Sequence, residues 1–248
     1  MEVHHPHHVT HKKKWTEYLL EFFMLFLAVF LGFIAENVRE GQVEKSQEKE
    51  YIKGVVEDLR TDTAKINRLI PLLEEQITGY DSLFNYSTME PHTDSAIRYM
   101  YYLIRRYTYT RNFTTTTRTF NQLNNAGGMR LIKNKTASDS IIRYYDYANS
   151  NSIQLEYFRN AQTIAYTTGY SIFKAKAYNG ITRATAYMIL SSPQKLANDN
   201  PEQLNVFANE VRTVSGSLTN YKTNLLAQRE NCLRVLKTLQ DEYHLEQE

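Results

Sequence analysis

The sequence predicts an all-α protein: one N-terminal transmembrane helix continuing into a long coiled-coil-like stalk, an antiparallel long C-terminal helix, and a helical head formed by the middle of the chain. Three observations carry this expectation. The 248 residues include only nine Gly and five Pro, too few to punctuate the chain into short elements. Two stretches repeat apolar residues every seven positions over about five heptads each. No stretch of useful length alternates apolar and polar residues with the period of two that marks a strand.

Residues 1–14 read as a short His/Lys-rich tail, and residues 15–36, WTEYLLEFFMLFLAVFLGFIAE, as the span. Residues 18–35 carry Glu21 as their only charge, and as a helix they extend about 27 Å, close to the hydrocarbon thickness of a bilayer. A cleaved leader is disfavoured because the run ends in Phe33-Ile34-Ala35-Glu36, where Phe33 is too large for a small-residue cleavage site. Lys12, Lys13 and Lys14, beside His4, His5, His7, His8 and His11, precede the span. Arg39, Lys45 and Lys49 follow it, interleaved with Glu36, Glu40, Glu44 and Glu48. The contiguous cationic tail is the harder flank to translocate. The expected location is therefore the bacterial inner membrane, single-pass, with the N-terminus cytoplasmic and the bulk of the chain periplasmic. Imidazoles are common metal ligands, but nothing in the tail's spacing fixes their geometry, so no metal is assigned.

Residues three and four apart share a helix face, which places Glu17, Glu21, Leu25, Ala28, Gly32 and Ala35 on one stripe of the span. Ala28 and Gly32 form a small-xxx-small pair that lets helix backbones approach in lipid. An ionisable residue inside a span usually faces a partner or a water-filled cavity. Glu17, Glu21, Ala28 and Gly32 are therefore the expected oligomerisation residues of a homo-oligomer, with Phe22, Phe23, Phe26, Phe30 and Phe33 mostly toward lipid. Two alternatives for Glu21 stay open: snorkelling to the interface, and proton carriage.

Residues 37–84 form the stalk. NVREGQVEKSQEKE is charged all round and stands as helix only through its continuation. There Ile52, Leu59, Ile66, Leu73 and Tyr80 recur at seven, with Val56, Thr63, Ile70, Ile77 and Phe84 as a second seam. Pro71 is expected to kink this helix. The carboxylate pairs Glu57-Asp58 and Glu74-Glu75 are expected to be solvated.

Residues 85–200 form the expected head. NYSTMEPHTD is a loop, and Thr93 or Asp94 caps a helix burying Ile97, Met100, Tyr101 and Ile104. A short helix ends at Gly127-Gly128, and a longer one begins near Ser138 with Ile141, Ala148 and Leu155 inside. Weaker helices are expected at 161–177 and 181–190, broken by Gly180 and Pro193. Residues 201–248 form the last helix, started by Asn200 as N-cap and Pro201 at the first helical position. Its core is Leu204, Val211, Leu218, Leu225, Cys232 and Leu239, joined by Phe207, Val214, Tyr221 and Val235. Cys232, the sole cysteine, is a core position. Alone, it excludes an intramolecular disulfide and a Cys-based zinc site.

Several of these residues carry a resemblance. EFFMLFLAVFLGFIAENVRE, VVEDLRTDT, and the region of Phe120, Leu123, Gly127, Leu131, Ile132, Asn134, Ile141, Tyr144 and Tyr145 resemble a group of uncharacterised single-pass membrane proteins from Bacteroidota, over roughly the first 150 residues. The resemblance implies a short N-terminal tail, one span and a helical extracytoplasmic domain, and implies no activity.

Chemistry concentrates in the middle. The overall charge is only +2, yet residues 95–195 hold 14 Lys and Arg against Asp139, Asp146 and Glu156. A single-sign field attracts anions and acidic surfaces. YMYYLIRRYTYTRNF interleaves tyrosines with arginines, and Arg105, Arg106, Arg111, Tyr101 and Tyr107 are the candidate partner- or anion-binding residues. The competing reading has the tyrosines filling a core and the arginines pairing with the acidic long helices. G-x-S-x-G, the Walker loop, H-E-x-x-H and the EF-hand loop are all missing. His92 and His244 are the only histidines beyond the tail, which excludes a His-based triad or three-histidine metal site in the outer domain. The expectation is a protein without enzymatic activity, cofactor or nucleic-acid partner: an oligomeric scaffold or accessory subunit meeting membrane lipid and an envelope protein. The alternative is a ligand-sensing or proton-coupled force-transducing subunit acting through a separate membrane partner.

Overall fold

The computed structural model describes residues 14–125 and 127–245. Among these residues there is no strand. Five α-helices follow one another: α1 (Trp15–Ser87), α2 (Asp94–Tyr107), α3 (Arg118–Asn125), α4 (Lys135–Ile172) and α5 (Pro201–Tyr243). Short 3-10 turns at Gly128–Leu131, Ala175–Tyr178 and Ala186–Ser191 complete the order. The chain divides into two compact units, Met1–Glu50 and Tyr51–Glu248. The tail histidines, Lys12 and Lys13, with the topological and metal readings attached to them, lie outside the described residues.

In the first unit, residues 15–36 are exposed throughout, and none of the most apolar 18-residue window is buried. By length and composition this is a candidate membrane span. The rings of Phe22, Phe26 and Phe30 form a ladder at 6.4 and 5.8 Å between centroids. At about 100° per residue that ladder lies roughly opposite Ala28 and Gly32. Beyond the span, Arg39 pairs with Glu36 one turn back, a solvent-exposed contact worth little to stability.

The second unit is built on three long helices: α1 from Tyr51 onward, α4 and α5. α1 and α5 are antiparallel, as expected. Asp81 accepts from Arg212 and Ser215 (3.1 and 2.6 Å), Glu74 from Lys222 (3.2 Å), and the Leu59 carbonyl from Cys232 (3.1 Å), so one helix ascends as the other descends. α4 runs parallel to α1, since the bonded pairs Asp62–Tyr144 and Tyr80–Gln162 are both 82 residues apart. It is therefore antiparallel to α5, which it meets through Asn151–Gln228 and Thr168–Glu210. The heptad residues fill the interior: Ile52, Leu59, Ile66, Leu73, Leu218, Cys232 and Leu239 are wholly inaccessible. α1 continues unbroken through Pro71, which lies on an exposed face.

The middle of the chain departs from expectation. α4 starts at Lys135, capped by the Asn134 side chain accepting from the Ala137 amide, and runs as one helix to Ile172 in place of two. Apart from Tyr145, its buried positions form two complete seven-residue series, Ile141, Ala148, Leu155, Gln162, Gly169 and Ala137, Tyr144, Asn151, Phe158, Ala165, Ile172. Asn151, Gln162 and Gly169 hide the period from an apolar count. The helix expected at 181–190 is instead the 3-10 turn Ala186–Ser191, preceded by Gly180 at φ +71°, a left-handed position that ends regular helix. α4 is the third long helix of the unit that begins at Tyr51.

Candidate functional site

Residues 108–117 have no regular secondary structure, and every buried backbone group of such a segment needs a partner. Side chains of the three long helices supply them. Gln76 donates to the carbonyls of Tyr107 and Tyr109 (2.7 and 2.5 Å). The Tyr166 hydroxyl donates to the Thr108 carbonyl. Tyr221 accepts from the Phe113 amide (2.8 Å), and Lys65 donates to the Thr114 carbonyl (3.2 Å). Gln162 accepts from the Thr110 hydroxyl while donating to Tyr80 (3.0 and 2.7 Å).

At the end of this strap lies Asp62, wholly buried. Its carboxylate accepts from the Thr116 amide (2.9 Å), the Thr116 hydroxyl (2.6 Å) and the Tyr144 hydroxyl (2.7 Å), with Lys65 at 3.5 Å. Asp58, one turn earlier, is 2 % exposed and accepts from the Thr119 amide at 2.8 Å. The expectation that the Glu57-Asp58 pair is solvated holds for Glu57, which faces Arg118 at 3.2 Å in the open, and fails for Asp58. The reason is a third seam on α1: Val55, Asp62, Leu69, Gln76 and Leu83 also recur at seven, Val55, Asp62, Gln76 and Leu83 are buried, and Asp58, three residues after Val55 and four before Asp62, lies on the same face.

The five candidate binding residues meet different fates. Tyr101 is withdrawn from any surface role: it is wholly buried, donating to the Lys195 carbonyl (3.1 Å) and accepting from the Lys174 amide (2.7 Å). It ties α2 to the 3-10 segments. Tyr107 is partly buried with its ring on Gly79. Arg106 pairs with Glu75 at 3.0 Å. Arg111 covers the Tyr109 ring at 4.7 Å, whose ring Arg183 also covers at 4.0 Å. Arg105 alone of the five lines a cavity. In the span, Glu17, Glu21, Ala28 and Gly32 are all exposed, and a side chain at Gly32 would meet nothing within 4 Å.

That cavity, of about 600 Å³, is the second feature of the site. Tyr80, Phe207 and Val214 form its buried floor, and the exposed Arg105 and Tyr170 stand at its mouth. The small residues Ala165 and Gly169 occupy buried α4 positions along it, where larger side chains would fill the space. Among the described residues lining it, Arg105 is the only one that carries a charge. Tyr178 also lines it, and its hydroxyl is buried and without a hydrogen-bond partner. Sequence reasoning reached Arg105 but not Tyr178, since nothing local marks a tyrosine as unpaired.

Burial dominates the titration of the interior. It raises Tyr80, Tyr144, Tyr145 and Tyr178 above the ordinary phenol value of 10.0. It also pushes the Cys232 thiol from 9.0 to about 11. Each is an acid whose neutral form the fold prefers, so the folded state holds protons that the unfolded chain releases. Their contribution is complete below the unfolded values and is lost as pH rises through the folded ones. The urea midpoint is expected to stay flat in this respect at neutral pH and to fall above pH 9; a rise between pH 9 and 11 would contradict the assignment. Cys232 stays a protonated, unreactive core thiol at neutral pH. No group of three or more His, Cys, Asp or Glu side chains converges to hold a metal ion among the described residues. Compared with family models, curated proteins and solved structures, the chain matches none of them.

Proposed function

We propose that the chain is a non-enzymatic, membrane-anchored assembly subunit, an oligomeric scaffold or accessory component of a cell-envelope complex. Residues 15–36 sit in the bacterial inner membrane, the N-terminus is cytoplasmic, and the unit from Tyr51 onward is periplasmic. The observation that carries this reading is the apolar stretch of residues 15–36, exposed on every face. A contiguous apolar surface of that kind belongs in lipid or against another helix. The open space at Gly32 supports self-association, because small residues let a second backbone come close in a bilayer. The resemblance to single-pass proteins of Bacteroidota supports the same architecture.

Two measurements test it. Gly32→Leu is expected to shift the detergent-purified protein toward monomer, while Phe26→Leu, on the opposite side, leaves the oligomer intact. Glu21→Gln keeps the side chain's shape and should change oligomer size little, since a hydrogen bond between membrane helices is worth about 0.6–2 kcal/mol. An intact oligomer with a null phenotype in Glu21→Gln would replace assembly with proton coupling. For orientation, a cysteine at Lys45 in a Cys232→Ser background should react with an impermeant maleimide in spheroplasts. Protection of that cysteine would reverse the topology.

A further inference from the structure

We propose that the cavity bounded by α2, α4 and α5 is a binding site for a small apolar monocarboxylate. Its carboxylate meets Arg105 and the Tyr178 hydroxyl, and its hydrocarbon or aryl body lies along Ala165 and Gly169 toward Phe207. This goes beyond assembly through the span and is independent of it.

Four observations converge. The volume, about 600 Å³, falls in the range of about 300–1,000 Å³ typical of small-molecule sites. The charge is one-sided: Arg105 is a cation, and no carboxylate accompanies it on the described walls, which favours an anion and disfavours an amine. The Arg105 Nε donates to the Ile181 carbonyl at 2.7 Å. That bond anchors one edge of the guanidinium and leaves the planar fork of terminal nitrogens suited to a carboxylate.

The fourth observation is the Tyr178 hydroxyl. A buried polar atom without a partner is rare in a folded protein and calls for a ligand or a water. Burial holds this phenol above its ordinary value, with Arg105 pulling the other way, so it remains a donor at neutral pH. Of the other polar groups on the wall, Gln162 is engaged with Thr110 and Tyr80 and Tyr166 with the Thr108 carbonyl, while Tyr170 is 77 % exposed at the mouth. One cation and one neutral donor at one end of an otherwise apolar, aromatic space match a single carboxylate on an apolar body. A dianion would leave half its charge uncompensated.

The test uses the full chain in lipid nanodiscs, titrated with phenylpropanoate and, separately, octanoate, with empty nanodiscs as blank. Saturable binding to a single site per chain is expected, and the corresponding alcohols should bind at least about tenfold more weakly, the loss that accompanies a charge-assisted hydrogen bond. Arg105→Gln should weaken binding by a similar factor. Gly169→Leu fills the cavity and should abolish it. Tyr178→Phe is the decisive variant, because it removes only the unpaired oxygen. Its unfolding midpoint should equal or exceed the native one while its affinity falls about tenfold. The proposal is overturned if neither carboxylate binds saturably, if alcohol and acid bind alike, or if Tyr178→Phe binds as the native chain does.

Discussion

Asp62→Ala is expected to destabilise the protein by about 3–5 kcal/mol, because it strips the partner from several buried or half-buried donors at once, each costing up to about 1–3 kcal/mol when left unpaired. The donors are the Thr116 amide, the Thr116 hydroxyl and the Tyr144 hydroxyl. Nothing else replaces the carboxylate for the amide, since the strap has no ladder of its own. Lys65, 43 % exposed and 3.5 Å away, contributes little as an ion pair and is not what is lost. Asp62→Asn retains the shape and one acceptor but turns an N–H toward donors, so it should fall between native and alanine. Because domains are stable by only about 5–15 kcal/mol, the alanine variant should unfold at markedly lower urea. An alanine variant within about 1 kcal/mol of native, the size of a single ordinary hydrogen bond, would show that the strap is held by its other contacts.

Asp62 also marks where sequence reasoning stops. Wherever a seven-residue series was purely apolar, as in Ile52–Leu59–Ile66–Leu73 or Leu204–Val211–Leu218–Leu225, burial followed the pattern. Where an amide or carboxylate side chain occupied the series, the pattern was cut short. Gln228 completes Phe207, Val214, Tyr221 and Val235, and is wholly buried. Gln162 and Asn151 likewise complete the seams of α4. Gln162 and Gln228 meet the irregular segment that lies on the helices, and Asn151 meets Gln228 across α4 and α5; where such partners lie is a tertiary fact. Caps behave differently because they are local: Thr93, Asn134 and Asn200 each accept from an amide two or three residues ahead, and two of them, Thr93 and Asn200, were legible as short-range chemistry. The cavity was not legible at all. It depends on Ala165 and Gly169 being small where α4 faces α5, and small residues in a helix read simply as permissive.

Gly79 offers the sharpest test of how the strap is seated. It lies inside α1, where replacing Gly with Ala ordinarily stabilises a helix by up to about 1 kcal/mol. Here a Cβ would lie 2.3, 2.4 and 2.7 Å from Cδ2, Cγ and Cε2 of Tyr107, well inside van der Waals contact. The Cγ atom is close to the Tyr107 backbone and has little freedom to retreat. The Tyr107 carbonyl is itself held by Gln76 at 2.7 Å, so moving the ring by moving the chain breaks the clamp. Overpacking of this kind costs about 1–3 kcal/mol, which outweighs the helix gain, and Gly79→Ala should therefore destabilise the native protein. In a Tyr107→Ala background the obstruction is gone and the same substitution should stabilise by up to about 1 kcal/mol. The sign reversal is read from urea midpoints of the four proteins of a double-mutant cycle. A Gly79→Ala variant that is neutral or stabilised with Tyr107 in place would mean that the ring does not rest on the α1 backbone. Because Thr108 follows Tyr107 directly and lines the cavity, a strap lifted at Gly79 should also lose affinity for the carboxylate probes. An unlifted strap should keep it.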